Sequence, residues 1–333
     1  MTSLTRLLAR LGSEVDDPDE ETFLLLAHER PSAQNLGFLD SHAAVLDLTV
    51  AGRDLTIHQS PAVLNSNRSG GTTGAVLWKI TPVVAEWLAR PENMLFGDAD
   101  GGLLGRESAV LELGCGIAGV IGLALTGKGT KAAGHSSAPR KKAGRSKRPG
   151  RDTLSPSPSS TSSNSWASFS TANTVGRYIL TDQPYVHKFL QRNLEENGAH
   201  EGSSPLLFEP LDWETDEVTP AGRLGGVSSF DAVLACDCIY NEALVAPLVQ
   251  TCVDVCKLRE AENESGRDNN NRNQKPPTVV VVAQQLRDPD VLTTWLTAFA
   301  ASFRVWRVPE SLLTPALLPT AGFAVHIGIL KNE

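Results

Sequence analysis

The sequence predicts a doubly wound α/β fold, a mainly parallel seven-stranded sheet with helices on both faces, closed by a terminal antiparallel hairpin and preceded by an N-terminal β-hairpin extension. Three observations carry that reading. From residue 109 onward, short apolar runs of strand length alternate with amphipathic helical segments. A glycine-rich turn, Gly114-Cys115-Gly116-Ile117-Ala118-Gly119, joins the first of these runs to the first helix. The last two runs have no helix between them, so they pair antiparallel or lie apart.

Each element has its own signal. Residues 45–59 alternate on both sides of Ala51-Gly52-Arg53-Asp54, which has turn chemistry and predicts a hairpin. A helix begins near Thr81-Pro82, its proline in the first turn, with Val83, Val84, Trp87 and Leu88 on one face. Residues 109–113 form the first strand, and Val120, Ile121, Ala124 and Leu125 line the helix after the glycine turn. Residues 177–181 form the second strand, followed by a helix burying Val186, Phe189, Leu190 and Leu194 and ending at Gly198. Strands at 205–209, 231–235 and 278–283 follow, with a helix carrying Leu244, Val245, Leu248, Val249, Cys252 and Cys256 between the last two. Asp288-Pro289 opens a final helix through Trp295 and Phe299, and 304–308 and 323–330 are the last strands.

Composition bounds the organisation. The chain has 333 residues, 41% hydrophobic and 20% charged, enough for one large domain with insertions. Its five cysteines are odd in number and lie in apolar stretches, as reduced thiols do. No run approaches the roughly 20 apolar residues needed to span a bilayer. The first twelve residues, with Arg6 and Arg10 among leucines, resemble a transit peptide, but the acidic run Asp16, Asp17, Asp19, Glu20, Glu21 follows at once and favours a frayed or packed amphipathic end.

The net charge of −8 is unevenly spread, for residues 128–151 hold nine of the thirty basic residues and no acid. With the Ser/Thr-rich stretch behind it, this run makes 128–174 a low-complexity insertion, and 259–277, with Asp268-Asn269-Asn270-Asn271 and Pro276-Pro277, a second; both are expected to be disordered. The extension is then 1–75 and the main α/β domain 76–331, with the two insertions inside it.

The chemistry is expected at the carboxyl ends of the strands. Glu112 and the turn Gly114, Cys115, Gly116 present helix N–H groups to a ligand, which fits a dinucleotide, S-adenosylmethionine, or simply a tight turn. Glu112, two residues before the first glycine, suits the cationic aminoacyl end of S-adenosylmethionine better than a pyrophosphate. Asp182 ends the second strand, where an acid accepts ribose hydroxyls in either kind of site or caps the next helix. Asp212-Trp213 lies where an adenine edge and face would sit, or is a turn aspartate with a core tryptophan. Asp237-Cys238-Ile239-Tyr240 puts an acid and a phenol three residues apart at the fourth strand's edge, able to hold a neutral amine in line with a methyl group, or to serve as a cap and a packed ring. No C-x-x-C pair exists and the histidines are scattered, so no metal site is expected.

Taken together, Thr73-Gly74-Ala75-Val76-Leu77-Trp78, Glu112 to Gly119, Leu211-Asp212-Trp213 and Ala235-Cys236-Asp237-Cys238-Ile239-Tyr240 resemble the motifs of the seven-strand class I methyltransferases, and within them the small protein-lysine methyltransferases of the ribosomal lysine group. The resemblance implies a Rossmann-like methyltransferase domain with S-adenosylmethionine held by Trp78, Gly114, Cys115, Gly116, Asp182, Trp213 and Ala235, and Asp237 and Tyr240 beside the target amine. It also implies a ribosomal large-subunit protein as substrate, with nucleic acid met only through the ribosome, and a cytoplasmic location, although Arg140-Lys141-Lys142 and Lys147-Arg148 also read as a nuclear signal. The rivals are a base methyltransferase, which lacks its two prolines here, an NAD(P)-dependent oxidoreductase, which Glu112 and Asp212-Trp213 disfavour, and a non-catalytic ribosome-associated scaffold.

Overall fold

The computed structural model describes residues 2–27, 37–68, 71–97, 102–127, 173–222, 224–268 and 274–332. The first insertion therefore lies almost wholly outside the described residues, as do 269–273 of the second.

The chain starts with two short helices. In α1 (Ser3–Leu11), capped by Thr2, Leu7 and Leu11 are buried, so the amphipathic end is packed. α2 (Pro18–Leu26) was hidden in the acidic run: Asp17 accepts hydrogen bonds from the Asp19 and Glu20 amides, Pro18 occupies the first turn, and three acids face the positive end of the helix dipole. The third, Glu21, is buried, 2.9 Å from the His326 Nε2 and 3.5 Å from Arg307, which locks α2 onto the sheet.

β1 (Val45–Val50) and β2 (Arg53–His58) form the expected antiparallel hairpin, its two-residue turn made by Ala51 and Gly52 with φ of 51° and 71°. The free edge of β2 is satisfied by side chains. Asn197 and Asn193 exchange hydrogen bonds with the backbones of Thr56 and His58 at 2.8–3.0 Å, so the hairpin is fixed to the helix that carries them. A short α3 (Pro61–Leu64) leads to a 3-10 turn at Thr73–Ala75 and α4 (Ile80–Ala89).

The main sheet has seven strands: β3 (Ala109–Leu113), β4 (Arg177–Asp182), β5 (Leu206–Pro210), β6 (Ala232–Cys236), β7 (Val279–Gln285), β8 (Phe303–Arg307) and β9 (Phe323–Leu330). Their order is β5-β4-β3-β6-β7-β9-β8, parallel except for β9, which inserts antiparallel between β7 and β8. The order reverses beside β3, which sends β4 to one side and β6 to the other, and that switch point opens a crevice at the carboxyl ends of the strands. α5 (Val120–Thr126), α6 (His187–Glu196), α7 (Val245–Asp268) and α8 (Pro289–Ser302) provide the crossovers and the terminal cover. Side chains alternate between two cores. Val279, Val281 and Ala283 of β7 join the core beneath α4 and α5, whereas Val280 and Val282 join the one beneath α7 and α8.

Two sequence expectations are corrected here. α7 does not stop at 258: it runs to Asp268, well inside the segment read as linker, because Arg259 is buried and its Nη2 reaches the Asp231 carboxylate at 2.8 Å. Nor does Asp182 cap the next helix. α6 starts only at His187, after a 3-10 turn, and the Asp182 carboxylate is turned toward the glycine loop instead.

Candidate active site

At the switch point the strand ends and the 73–78 segment enclose a cavity of about 370 Å³, within the usual range of small-molecule sites. Of the eleven residues expected at the site, ten line it: Trp78, Glu112, Gly114, Cys115, Gly116, Asp182, Asp212, Trp213, Asp237 and Tyr240. Ala235 does not. It is fully buried within β6, where its side chain belongs to the core on the α7 side.

The inner wall is acidic. Glu112, 2% exposed, accepts a hydrogen bond from the Tyr178 hydroxyl at 2.7 Å. Burial, augmented by the nearby Asp182 charge, pushes its carboxyl up to about 7 despite that bond. Asp182 accepts from the Gly116 and Gln183 amides at 2.8 and 2.7 Å, yet burial still raises it to about 6. Two desolvated carboxyls facing one small cavity call for a cationic or hydroxyl-rich ligand.

Gly114 turns the chain at φ 69°, and a Cβ there would stand 2.8 Å from the Cys238 sulfur and 3.2 Å from the Trp213 ring. The loop is held from three sides: the Cys115 amide donates to the Thr181 carbonyl, the Gly116 amide to Asp182 and the Ile117 amide to the Gly74 carbonyl. Asp212 accepts from the Glu214 amide at 3.1 Å, which fixes the turn carrying Trp213. The Trp213 indole N–H is buried and has no hydrogen-bond partner among the described residues.

The opposite wall comes from the 73–78 segment and the loop after β6. Trp78 packs on Phe38, its ring centroid 4.5 Å away, and donates to the Thr73 carbonyl. The Thr73 hydroxyl donates to the Tyr240 oxygen at 3.3 Å, and Tyr240 is 38% exposed, at once in the cavity wall and on the surface. Asp237 adopts φ 60°, and both its carboxylate oxygens are already engaged: Oδ1 by Arg287 Nη1 at 2.8 Å, Gln284 Nε2 at 3.0 Å and the Gln285 amide at 3.2 Å, and Oδ2 by Arg287 Nη2 at 2.5 Å. It stands in the wall, but not as an open acceptor.

Sequence reasoning missed Tyr185, whose hydroxyl accepts from the Gly74 amide at 3.0 Å, and the Gln284-Gln285-x-Arg287 group. The available signal for the latter was a run of amides and a cation at the carboxyl end of a central strand, where an α/β fold gathers its polar residues.

The topology is that of the seven-strand class I methyltransferase fold, and S-adenosylmethionine is the cofactor of that class. The residues fit it: the buried carboxyl of Glu112 and the half-buried one of Asp182 for the aminoacyl and ribose ends, a glycine turn without side-chain bulk, and an indole N–H with no acceptor among the described residues.

A lysine methyltransferase family model matches residues 168–263, and the chain resembles the protein-lysine methyltransferases. It is 25% identical to ribosomal lysine N-methyltransferase 5 of Lachancea thermotolerans over 356 aligned positions, covering 86% of this chain and 88% of that one. It is also 28% identical over 293 residues to a Schizosaccharomyces pombe protein named diaminohydroxyphosphoribosylamino-pyrimidine deaminase, covering 88% of this chain but spanning about half, 53%, of that relative. Zinc deaminases use a P-C-x-x-C signature, and this sequence contains no C-x-x-C. Among solved structures, an O-methyltransferase family 2 protein from Planctomyces limnophilus aligns with a TM-score of 0.34 at 11% identity, over 74% of this chain and 57% of that one.

Proposed function

We propose that the protein transfers a methyl group from S-adenosylmethionine to a lysine side chain of a protein, and that the substrate is a ribosomal large-subunit protein met in the cytoplasm. The observation that carries the reading is the polarity of the cavity. Its inner end is a pair of desolvated carboxyls, and its outer wall ends in the half-exposed phenol of Tyr240. Such a site takes a cationic donor deep inside and receives an acceptor from the surface.

The cofactor supplies the electrophilic methyl group; the protein's part is binding and orientation. Glu112 and Asp182 hold the charged and hydroxyl-bearing portions of the donor, with Gly114, Cys115 and Gly116 supplying backbone and Trp213 a flat face. On the acceptor side the lysine must shed a proton, its ordinary pKa being about 10.4, and a low-dielectric wall disfavours the ammonium form. The Tyr240 oxygen can accept from the amine and hold its lone pair in line, while Asp237 fixes the loop on which Tyr240 stands. The family model and the names of the ribosomal relatives support a protein substrate.

The test is to incubate the purified protein with isotope-labelled S-adenosylmethionine and methyl-depleted ribosomal subunits, and to locate the label by mass spectrometry. A labelled lysine on one large-subunit protein supports both halves of the proposal. Label on RNA would replace it with base methylation, and label on a non-ribosomal protein alone would sink the ribosomal half.

A further inference from the structure

The acceptor wall is organised by a residue that belongs to none of the recognised motifs. Arg287 follows β7 on the short loop before α8, and its guanidinium lies between the two segments that form the outer cavity. In its plane it grips both oxygens of Asp237, at 2.8 and 2.5 Å; over one face it stacks on Trp78, 4.9 Å from the ring centroid. Nη2 also donates to the Gln285 side-chain carbonyl at 2.8 Å. From Trp78 the contacts run on through the Thr73 carbonyl and hydroxyl to Tyr240.

We propose that Arg287 is a positioning residue for the acceptor side of the pocket, clamping the 237–240 loop and the Trp78 segment to the end of β7. Asp237 then acts by shape, through Arg287, and not by taking the amine proton. The effect on turnover rests on the methyl-transfer reading above; the clamp itself does not.

Three features argue for positioning over simple stability. A buried ion pair contributes little net stability, because desolvating both charges offsets their attraction, so its value lies in fixing geometry. Guanidinium alone offers a planar fork for a carboxylate and a face for an aromatic ring at the same time, which a lysine could not. The loop it holds is strained: Asp237 sits in the left-handed region and needs its environment to keep it there. Gln284, also buried, completes the hold by accepting from the Ile239 amide and donating to the Ile239 carbonyl.

The N-terminal extension leans on the same clamp. The Lys79 amide donates to the Gly37 carbonyl and the Leu39 amide to that of Leu77, so 37–39 runs alongside the Trp78 segment. Gly37 has φ 94°, and a Cβ there would collide with the Gln285 Oε1 and Arg287 Nη2. A methyl group at 37 therefore disturbs Arg287 without removing any charge.

The experiment compares full-length wild type with Arg287→Met, Arg287→Lys, Gly37→Ala, Asp237→Asn and the Asp237→Asn/Arg287→Met double variant. Amide exchange is followed by mass spectrometry in segments 73–78 and 237–240, S-adenosylmethionine affinity by calorimetry, and kcat and KM where methyl transfer is seen. Arg287→Met is expected to speed exchange in both segments by on the order of tenfold, through local opening. The Cys115 and Gly116 amides, held by Thr181 and Asp182 rather than by the 73–78 segment, should keep their protection, and cofactor affinity should stay within about twofold. kcat should fall with KM little changed, Arg287→Lys should restore only part of it, and Gly37→Ala should reproduce the pattern in milder form. The double variant should be no slower than the worse single one, because both substitutions break the same unit.

Unchanged exchange in either segment would overturn the clamp. So would multiplied losses in the double variant, which would give Asp237 a role of its own, or cofactor affinity falling in step with turnover, which would mean collapse of the whole pocket. If Arg287→Met does not fold, Arg287→Lys and Gly37→Ala carry the same readouts. A wild-type protein that methylates no lysine sinks the reading of function and leaves the exchange experiment to decide the clamp.

Discussion

Glu112 and Tyr178 meet across neighbouring parallel strands, the phenol donating to the carboxylate at 2.7 Å with both side chains closed off from solvent. Register explains the meeting. Glu112 stands opposite Leu180, and Tyr178, two residues earlier on β4, projects from the same face. That single hydrogen bond is not enough to keep the buried carboxylate ionised near neutrality, and the acid has an unusual titration as a result.

Because burial raises the Glu112 carboxyl to about 7 from an ordinary 4.5, the ligand-free folded protein holds a proton there that the unfolded chain has already lost. Its contribution to stability is thus fully present below about 4.5 and is lost as pH rises through about 7. The difference amounts to about 3 kcal/mol as an order of magnitude. A cationic donor favours the ionised acid, so S-adenosylmethionine binding should strengthen from pH 6 to pH 8 and release protons at pH 6. Calorimetry at pH 6 in buffers of different ionisation enthalpy measures that release. Glu112→Gln should remove much of it, bind the donor more weakly and raise the melting temperature of the ligand-free protein at pH 8. A release unchanged in Glu112→Gln would assign it to Asp182, which burial also raises, to about 6.

Gly114 is the tightest point of the donor loop. An alanine would have to hold φ 69° while its methyl pressed on Cys238 at 2.8 Å and the Trp213 ring at 3.2 Å. Gly114→Ala should cost about 1–3 kcal/mol in stability from overpacking and strain and weaken donor binding by more than tenfold, since Trp213 must move. Chemical denaturation and calorimetry on one preparation check both. Normal affinity in a destabilised variant would separate Trp213 from the donor.

Tyr240 and Tyr185 present their hydroxyls at the same mouth but make different bonds. Among the described residues Tyr240 receives only the Thr73 hydroxyl, at 3.3 Å, and is partly exposed, whereas Tyr185 receives the Gly74 backbone amide. Tyr240→Phe should leave melting temperature and donor affinity unchanged and lower kcat by about tenfold, the effect of losing one orienting hydrogen bond of about 1 kcal/mol. Tyr185→Phe should cost about 1 kcal/mol by leaving the Gly74 amide without its acceptor, with a smaller kcat effect. Equal kcat losses in the two variants would count against a special role for Tyr240.

The strands and the glycine turn were legible because their signals are local: short continuous apolar runs such as 279–283, and glycines directly after a strand. The inner wall of the cavity followed, since Glu112, Gly114 and Asp182 lie at strand ends whose order the fold class dictates. The outer wall did not. Asp237 looks like an open acid in sequence, and only the tertiary structure brings Arg287, fifty residues on, against both its oxygens. Ala235 was drawn in by its neighbours in the motif, but strand alternation turns its side chain to the other face. α2 was masked because an acidic run reads as solvated chain until Asp17 is seen capping a helix whose Glu21 meets His326.

The same lesson makes Arg259 testable. Its position at the head of a polar, asparagine-rich stretch reads as linker, yet the residue is 1% exposed and paired with Asp231, which also accepts from the Ala109 amide at 2.8 Å. The pair ties the middle of α7 to the starts of β3 and β6, at the sheet end away from the cavity. Arg259→Ala leaves a hole where a long buried side chain stood, so it should destabilise by about 2–5 kcal/mol. Arg259→Met, which fills the space without the charge, should cost less, because the Asp231 side chain is 26% exposed and can be hydrated. Both variants should bind S-adenosylmethionine with wild-type affinity while folded. Urea denaturation ranks the three proteins; an Arg259→Ala curve that overlays wild type would mean that α7 ends before residue 259 in solution.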